Sequence, residues 1–401
     1  LQPFRIPRQS HPTPRATMVP AKRVAIFLSF SGDGGVEHMM VNLAGAMARL
    51  GVPVDLVRAR VEGGHAARVP EGVRVVDLGA KHTWSSLPSL VRYLRRERPD
   101  ALLAAKDRAN RVALRARSLG GVPTRVAVRL GNHLSRSLEG RSFLRQWARK
   151  APMRRAYHRA DAVIAVSRGV AEDTANITGL PRDAIHVLPN PVVTPDLEAR
   201  AEPTPDHPWL AHRSPEDPPV LLAVGRLSRQ KDFPTLLQAF ALLRKERPAR
   251  LVVLGEGRDR GILEEMAARL GIGGDIDFPG FVADPHPYMR RADLFVLSSA
   301  WEGSPNALTE ALALGTPVVA TDCPSGPREI LEGGHYGPLV PVGDPEALAD
   351  AMAATLRSPL PAESLRKGGD RYRDTESARA YLEVLGVSPP GTDWDGRGPR
   401  G

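Results

Sequence analysis

The sequence holds a single cysteine, Cys323, so no internal disulfide can form and the chain fits a reducing compartment. It also has no apolar run long enough to span a bilayer, which argues against an integral membrane protein. The first twenty residues, Leu1 to Pro20, are rich in Pro and Arg and lack the apolar core of a signal peptide. They read as a disordered basic arm, or as residues ahead of a true start at Met18. The expectation is a cytoplasmic protein, with room for peripheral attachment at the inner face of the cytoplasmic membrane. No low-complexity tract dominates. At 401 residues, 42% hydrophobic and 25% charged, the chain has material for two domains of ordinary size.

The net charge of +10 is unevenly spread. Residues 1–200 carry 33 Lys and Arg against 16 Asp and Glu, and residues 201–401 carry 22 against 29. A basic first half facing a mildly acidic second half points to an anionic partner for the first: membrane surface, phosphorylated glycan or nucleic acid.

Strand-like runs at Val24–Phe30, Val54–Val57, Val73–Leu78, Ala101–Ala105, Arg125–Val128, Ala162–Val166 and Ile185–Leu188 fill the first half. Helical periodicity intervenes, as in Glu37–Leu50 and the basic Leu87–Arg98. A second series follows: Val220–Val224, Arg250–Leu254, Ile276–Phe278, Leu294–Leu297 and Pro317–Thr321, separated by helices Phe233–Lys245, Gly261–Leu270, Tyr288–Arg291 and Asn306–Leu314. Closing helices are expected at Pro345–Leu356 and Ser377–Leu385. Alternating strands and helices predict an α/β protein with two Rossmann-like, doubly wound parallel-sheet domains. The expected organisation is a basic arm at 1–20, a first domain at 21–190, a linker at 191–218, a second domain at 219–360, a helical segment at 361–386 and a disordered tail at 387–401. Nine prolines between Pro189 and Pro219 give the linker a semi-rigid, extended character.

The richest segment runs from Trp301 to Asp322, directly after an apolar strand. Ser304 is placed to cap a helix whose first position suits Pro305. Backbone N–H groups near Gly303, Ser304, Asn306 and Ala307 then sit at the positive end of a helix dipole, a ready diphosphate site. Glu302 precedes this helix and Glu310 lies within it, so one carboxylate can address a sugar and the other neighbouring hydroxyls. Arg226 and Lys231 follow the first strand of the second half. Two fixed cations there can stabilise the charge that develops on a leaving diphosphate. Gly34 and Gly35 sit at a strand-to-helix turn, either as a phosphate-approaching loop or as a plain tight turn. Asn132 and His133 follow another apolar strand, at the edge where such sheets bind ligands; a bland loop histidine is the alternative. Gly255-x-Gly257 falls short of a dinucleotide fingerprint because its third glycine, Gly261, is one place late. Asp275-x-Asp277 and Asp393-x-Asp395 lack a surrounding carboxylate cluster, so neither a catalytic metal nor another cofactor is expected.

From Arg141 to Arg159 there are seven Lys and Arg and no acid, interleaved with Phe143, Leu144, Trp147 and Tyr157. Such a segment can lie on an anionic bilayer or be a solvated helix covering the domain. No recognised nucleic-acid module accompanies it, so nucleic acid is not an expected partner.

Taken together, these motifs resemble retaining glycosyltransferases of the large GT-B family four. That family carries a Glu-x₇-Glu pattern, matched by Glu302 and Glu310, within a block running to Gly315-Thr-Pro-Val-Val319. The likeness extends to Gly225–Phe233, Ala165–Gly169, Pro189-Asn-Pro191 and Gly34–Glu37, and covers about residues 21–360 in the family's order. His38 stands where the family often has Arg. The resemblance implies that Arg226 and Lys231 hold the donor pyrophosphate, Glu310 the ribose and Glu302 the donor sugar. It places Glu256, Phe281 and Val282 beside the nucleobase, the Gly34–Gly35 loop over the diphosphate, and Asn132 or His133 near the transferred sugar. The implied donor is a nucleotide sugar, UDP-linked, carrying a hexosyl or N-acetylhexosaminyl group, with retention of configuration. The implied acceptor is a glycan or lipid-linked glycan of lipopolysaccharide or cell-envelope polysaccharide. The alternatives are a GT-B-type sugar-nucleotide epimerase, or a non-catalytic sugar-nucleotide or nucleic-acid binding protein.

Overall fold

A computed structural model describes residues 22–28, 34–59 and 69–390. The arm at 1–20, most of the Ser31–Gly35 loop and the Asp393-x-Asp395 triplet lie outside the described residues.

The first lobe contains β1 (Val24–Leu28), α1 (Gly35–Arg49), β2 (Val54–Arg58), β3 (Val73–Asp77) and α2 (Leu87–Glu97). It continues with β4 (Ala101–Ala105), α3 (Asp107–Gly120), β5 (Arg125–Leu130), α4 (Leu134–Ser137), α5 (Phe143–Tyr157), β6 (Ala162–Ala165), α6 (Arg168–Thr178) and β7 (Ile185–Val187). Its seven strands are all parallel, in the order β3-β2-β1-β4-β5-β6-β7. Helices cover both faces, so central strands such as β1 and β4 are buried at every residue and read as unbroken apolar runs.

Two short helices, α7 (Leu197–Ala201) and α8 (Pro208–Ala211), occupy the segment between the lobes. This departs from the expected extended linker: Leu197, Ala201, His207 and Leu210 are buried, and Pro208 opens α8 at a position where a missing N–H costs nothing. With so few apolar residues in so short a stretch, no periodicity announced these helices.

The second lobe comprises β8 (Val220–Val224), α9 (Phe233–Glu246), β9 (Arg250–Leu254), α10 (Arg260–Arg269), β10 (Ile276–Gly280), α11 (His286–Arg291) and β11 (Leu294–Leu297). There follow α12 (Asn306–Leu314), β12 (Val318–Thr321), α13 (Pro327–Ile330), β13 (Leu339–Val340), α14 (Pro345–Arg357), α15 (Ala362–Gly369) and α16 (Asp374–Leu385). Its parallel sheet runs β10-β9-β8-β11-β12-β13. In both sheets the order reverses beside the first strand, between β1 and β4 and between β8 and β11. Loops leaving such a switch point part to opposite faces and open a crevice at the strands' carboxyl ends. The two-lobed plan is GT-B.

The final helix does not stay with the second lobe. Tyr381 of α16 is fully buried, and its hydroxyl accepts a hydrogen bond from Arg129 Nε of β5 at 2.9 Å. Asp374 of α16 pairs with Arg49 of α1. The expected disordered tail also begins too early. Gly386 adopts a left-handed φ of 69° and the Val387 N–H returns to Leu382 O, closing α16 and burying Val387. Among the described residues no helix is long and apolar enough to cross a membrane.

Candidate active site

The loops leaving β8 and β11 meet at the second switch point. Lys231, from the first, places Nζ 2.6 Å from Oε1 of Glu302, from the second. The same carboxylate oxygen accepts from Ser299 Oγ at 2.7 Å, and Gln230 Nε2 donates to the Trp301 carbonyl at 3.1 Å. Glu302 is buried, so this pair is held in a fixed geometry. Gly225 makes room for it: a Cβ there would lie 2.7 Å from Lys231 Cε. Asp232, the next residue, takes a left-handed φ of 46°, a conformation Asp tolerates better than most residues. Its carboxylate accepts from Thr235 Oγ1 at 2.8 Å at the start of α9. Arg226 is exposed and makes no ion pair among the described residues.

Helix α12 spans Asn306–Leu314, the range expected, but its cap falls one residue later than Ser304. Pro305, with φ −72° and ψ 102°, occupies the N-cap position, Asn306 is the first helical residue, and Ser304 provides no side-chain cap. Proline's locked φ suits the extended cap as well as the first turn, so the pattern admitted both registers. The Asn306 and Ala307 amides open the helix and have no acceptor within it.

Glu310 lies one turn further along α12, its side chain 12% exposed. Burial alone would raise its pKa, but the facing His286, with lesser contributions from His38 and Arg200, holds the carboxyl below its ordinary value. His286 Nε2 is 3.8 Å from Glu310 Oε2, and its Nδ1 is bonded to Asp284, which Arg200 of α7 grips at 2.9 Å. Burial would depress the His286 pKa, yet the Asp284 bond and Glu310 outweigh it and raise the imidazolium to about 9. Asp284 is correspondingly lowered, its own burial outweighed by His286 and Arg200. The chain Arg200–Asp284–His286–Glu310 therefore alternates in sign and keeps Glu310 ionised in a buried setting.

The first lobe closes against this wall. Asn306 Nδ2 donates to the Gly35 carbonyl at 3.4 Å, and Asn190 Nδ2 donates to Asn306 Oδ1 at 2.7 Å. Gly303 packs on the backbone of the β5 loop: a Cβ there would sit 2.1 Å from Gly131 O, so only glycine permits the approach. Gly34 forms the extended N-cap of α1. His133 caps the short α4, its Nδ1 3.4 Å from Asp173, while Asn132 Oδ1 accepts the His133 N–H at 2.9 Å. The Asn132 side chain is thus folded back on its own loop. Glu256 and Phe281 form an exposed rim with the half-buried Val282, Glu256 pairing with Arg260 at 2.7 Å. Asp275 is engaged by Arg244, and Asp277 by His207.

Three features escaped the motif reading. Asp284, in the loop before α11, and His286, the first residue of α11, belong to no recognisable motif, and only folding brings them to Glu310. Arg129 is an arginine within an apolar strand, 1% exposed, held by Tyr381 and by Asn190 Oδ1. Its Nη1 has no hydrogen-bond partner among the described residues and lies against Gly131 at the cleft. Ser325, with φ 78°, presents a buried Oγ without a partner beside Gly169, across the junction of the lobes. The signal available for Arg129 was its charge in the run Arg125–Leu130; the Ser325 loop offered none.

Comparison with known proteins matches this architecture lobe by lobe. Residues 34–191 fit the glycosyl transferase 4-like domain, and residues 211–372 fit the glycosyl transferases group 1 family. The lipopolysaccharide core biosynthesis glycosyltransferase LpsE of Rhizobium meliloti is 29% identical over 380 residues, spanning 90% of this chain and 98% of that relative. Among solved structures, HepE of Anabaena in complex with UDP-glucose superposes with a TM-score of 0.71 at 19% identity, covering 91% of this chain and 99% of that one. The apo lipopolysaccharide outer core galactosyltransferase WaaB gives 0.67 at 20% identity, covering 91% and 99%.

Proposed function

We propose, from the premise that this chain belongs to the GT-B glycosyltransferases with a 4-like first lobe and a group 1 second lobe, that it moves a hexosyl or N-acetylhexosaminyl group from a UDP-linked donor to a glycan or glycolipid acceptor, with retention, in the assembly of lipopolysaccharide or envelope polysaccharide. The observation that carries this reading is the buried Lys231–Glu302 pair at the β8/β11 switch point, beside the open amides of α12. The diphosphate lies against those amides with Arg226 and Lys231 as its counterions. Glu310, kept ionised by His286, accepts two hydrogen bonds from the ribose diol. Glu302 faces the transferred sugar, and the rim of Glu256, Phe281 and Val282 borders the base.

The acceptor enters from the first lobe, past Gly34, Gly35, Asn132 and His133. The bond between the anomeric carbon and the diphosphate oxygen breaks as the acceptor oxygen bonds to the same face of the sugar. The acceptor's proton passes to the leaving diphosphate, so no dedicated base is required. Lys231 and Arg226 stabilise the charge growing on that diphosphate, a contribution realised mainly in the transition state. HepE, solved with UDP-glucose, supports the choice of uridine, and LpsE supports an acceptor of the lipopolysaccharide class. On this reading the enzyme works at the inner face of the cytoplasmic membrane and needs no metal.

A donor panel tests it. Slow acceptor-free hydrolysis is expected for a UDP-hexose or UDP-N-acetylhexosamine and not for GDP-sugars. Preference for a GDP-sugar would overturn the base assignment, and an inverted product anomer would overturn retention.

A further inference from the structure

A cation inside a protein ordinarily meets a carboxylate, because an uncompensated buried charge is costly. Arg129 does not. It is 1% exposed on β5, and its Nε donates to the Tyr381 hydroxyl and its Nη2 to Asn190 Oδ1, both neutral. It enters no ion pair among the described residues, and Nη1 is buried there without a partner. The guanidinium lies beneath the β5 loop, where a Cβ on Gly131 would be 3.2 Å from Nη1. That loop carries the Gly131 carbonyl on which Gly303 packs from the second lobe.

The use of this charge is read from the atoms that face it. A guanidinium only donates, so Asn190 must turn its oxygen toward Arg129 and its Nδ2 toward the second lobe. There Nδ2 donates to Asn306 Oδ1 at 2.7 Å and to the Ser304 carbonyl at 3.4 Å. Asn306 is thereby oriented in its turn, and its own Nδ2 donates to the Gly35 carbonyl at 3.4 Å. A carbonyl only accepts, so the far end of this relay demands the same direction as the near end. Both amides have one arrangement in which all these bonds are made.

We propose that Arg129 is a positioning residue for transfer. Through Asn190 it sets the direction of the Asn306 amide, and so holds the first residue of α12 against the Gly34–Gly35 turn across the seam between the lobes. This deepens the proposed function, from which it takes the start of α12 as the diphosphate site. With both amides fixed before the donor arrives, their reorientation is no part of the reaction. The backbone N–H groups that meet the diphosphate are set by α12 itself, so the relay governs turnover more than donor affinity.

Asn190→Asp tests this by reversing the relay at nearly constant shape. Its carboxylate gives Arg129 a counterion but cannot donate, so Asn306 must turn Nδ2 toward it and set Oδ1 against the Gly35 carbonyl. Denaturant unfolding should show stability at the wild-type level or above. In contrast, kcat for acceptor-free hydrolysis of the donor found by the panel should fall about tenfold or more, from two hydrogen bonds at roughly fivefold each. Donor KM and the calorimetric Kd for UDP should stay within about threefold. Arg129→Met, an apolar replacement of similar length, should lower kcat by a similar factor. Unchanged kcat in either variant, or a rise in UDP Kd that matches the whole loss, overturns the proposal. So does destabilisation of Asn190→Asp, which would mean that Arg129 already has its counterion.

Hydrogen exchange of the free chain separates this proposal from the donor reading. The amides of residues 35–40, which open α1, should exchange about fivefold faster in Asn190→Asp. Equal rates overturn the relay whatever the panel shows, and a panel in which no donor is hydrolysed overturns the donor reading alone.

Discussion

In the second lobe, the exposed Arg226 apart, the charges at the site are held in opposed, largely buried pairs: Lys231 on Glu302, and His286 between Asp284 and Glu310. In the first lobe, which has the larger excess of cations, the cleft is bordered by Gly34, Gly35, Gly131 and Asn132, and the arginines of α5 are exposed. The same parallel-sheet plan thus supports two ways of meeting an anion. Paired, desolvated groups are fixed before the ligand arrives, so little reorganisation accompanies charge development. Exposed cations attract over a longer range, are screened by salt and are undemanding about ligand shape.

Substitutions that separate the two modes should differ in what they change. The largest effect is expected for Lys231→Ala, with kcat lowered about 10²- to 10³-fold and donor KM moved far less, because its partner charge grows in the transition state. Steady-state kinetics with the donor identified by the panel check this; an equal change in KM alone would make Lys231 a ground-state anchor. Glu310→Ala should weaken UDP binding by roughly 10- to 100-fold, the worth of hydrogen bonds to a charged acceptor, as measured by calorimetry.

Away from the paired site, Tyr381→Phe leaves Arg129 Nε without its acceptor. It should cost about 1–3 kcal/mol in denaturant unfolding while leaving UDP affinity in place. A loss of UDP affinity would mean that α16 governs the donor site as well as the first lobe.

The smallest effect is a pH dependence. The His286 pKa is raised from 6.5 to about 9, so its support of Glu310 is complete below 6.5 and is lost as pH rises through about 9. UDP affinity should fall several-fold between pH 8 and pH 10 in the wild type. His286→Gln should start lower and show a flatter profile; the same slope in both would assign the titration elsewhere.

Which of these features could be read in advance follows from how the residues are distributed along the chain. The α12 block and the β8 loop are each contiguous, so Lys231, Glu302 and Glu310 stood out within local motifs, and folding joined the two segments. The buried β-strands were legible because parallel sheets covered on both faces leave uninterrupted apolar runs. The Arg200–Asp284–His286 chain was not, because its members come from α7, the loop before α11 and α11 itself, and no local pattern relates them. Arg129 was hidden by its context: an arginine near the end of a largely apolar strand looks like an edge position until Tyr381 and Asn190 are brought to it. Amphipathic spacing located α16 but carried no information about which lobe its apolar face would meet. The one-residue error at Ser304 and Pro305 arose because both residues are favoured near a helix start.

The central claim is that the second lobe grips a nucleoside diphosphate before any acceptor is present. Calorimetric titration of the full chain with UDP, then with uridine, tests it most directly. The account predicts UDP binding at least tenfold tighter than uridine, with both weakened in Glu310→Ala. Equal affinity for UDP and uridine in the wild type, or UDP binding indifferent to Glu310, would contradict it.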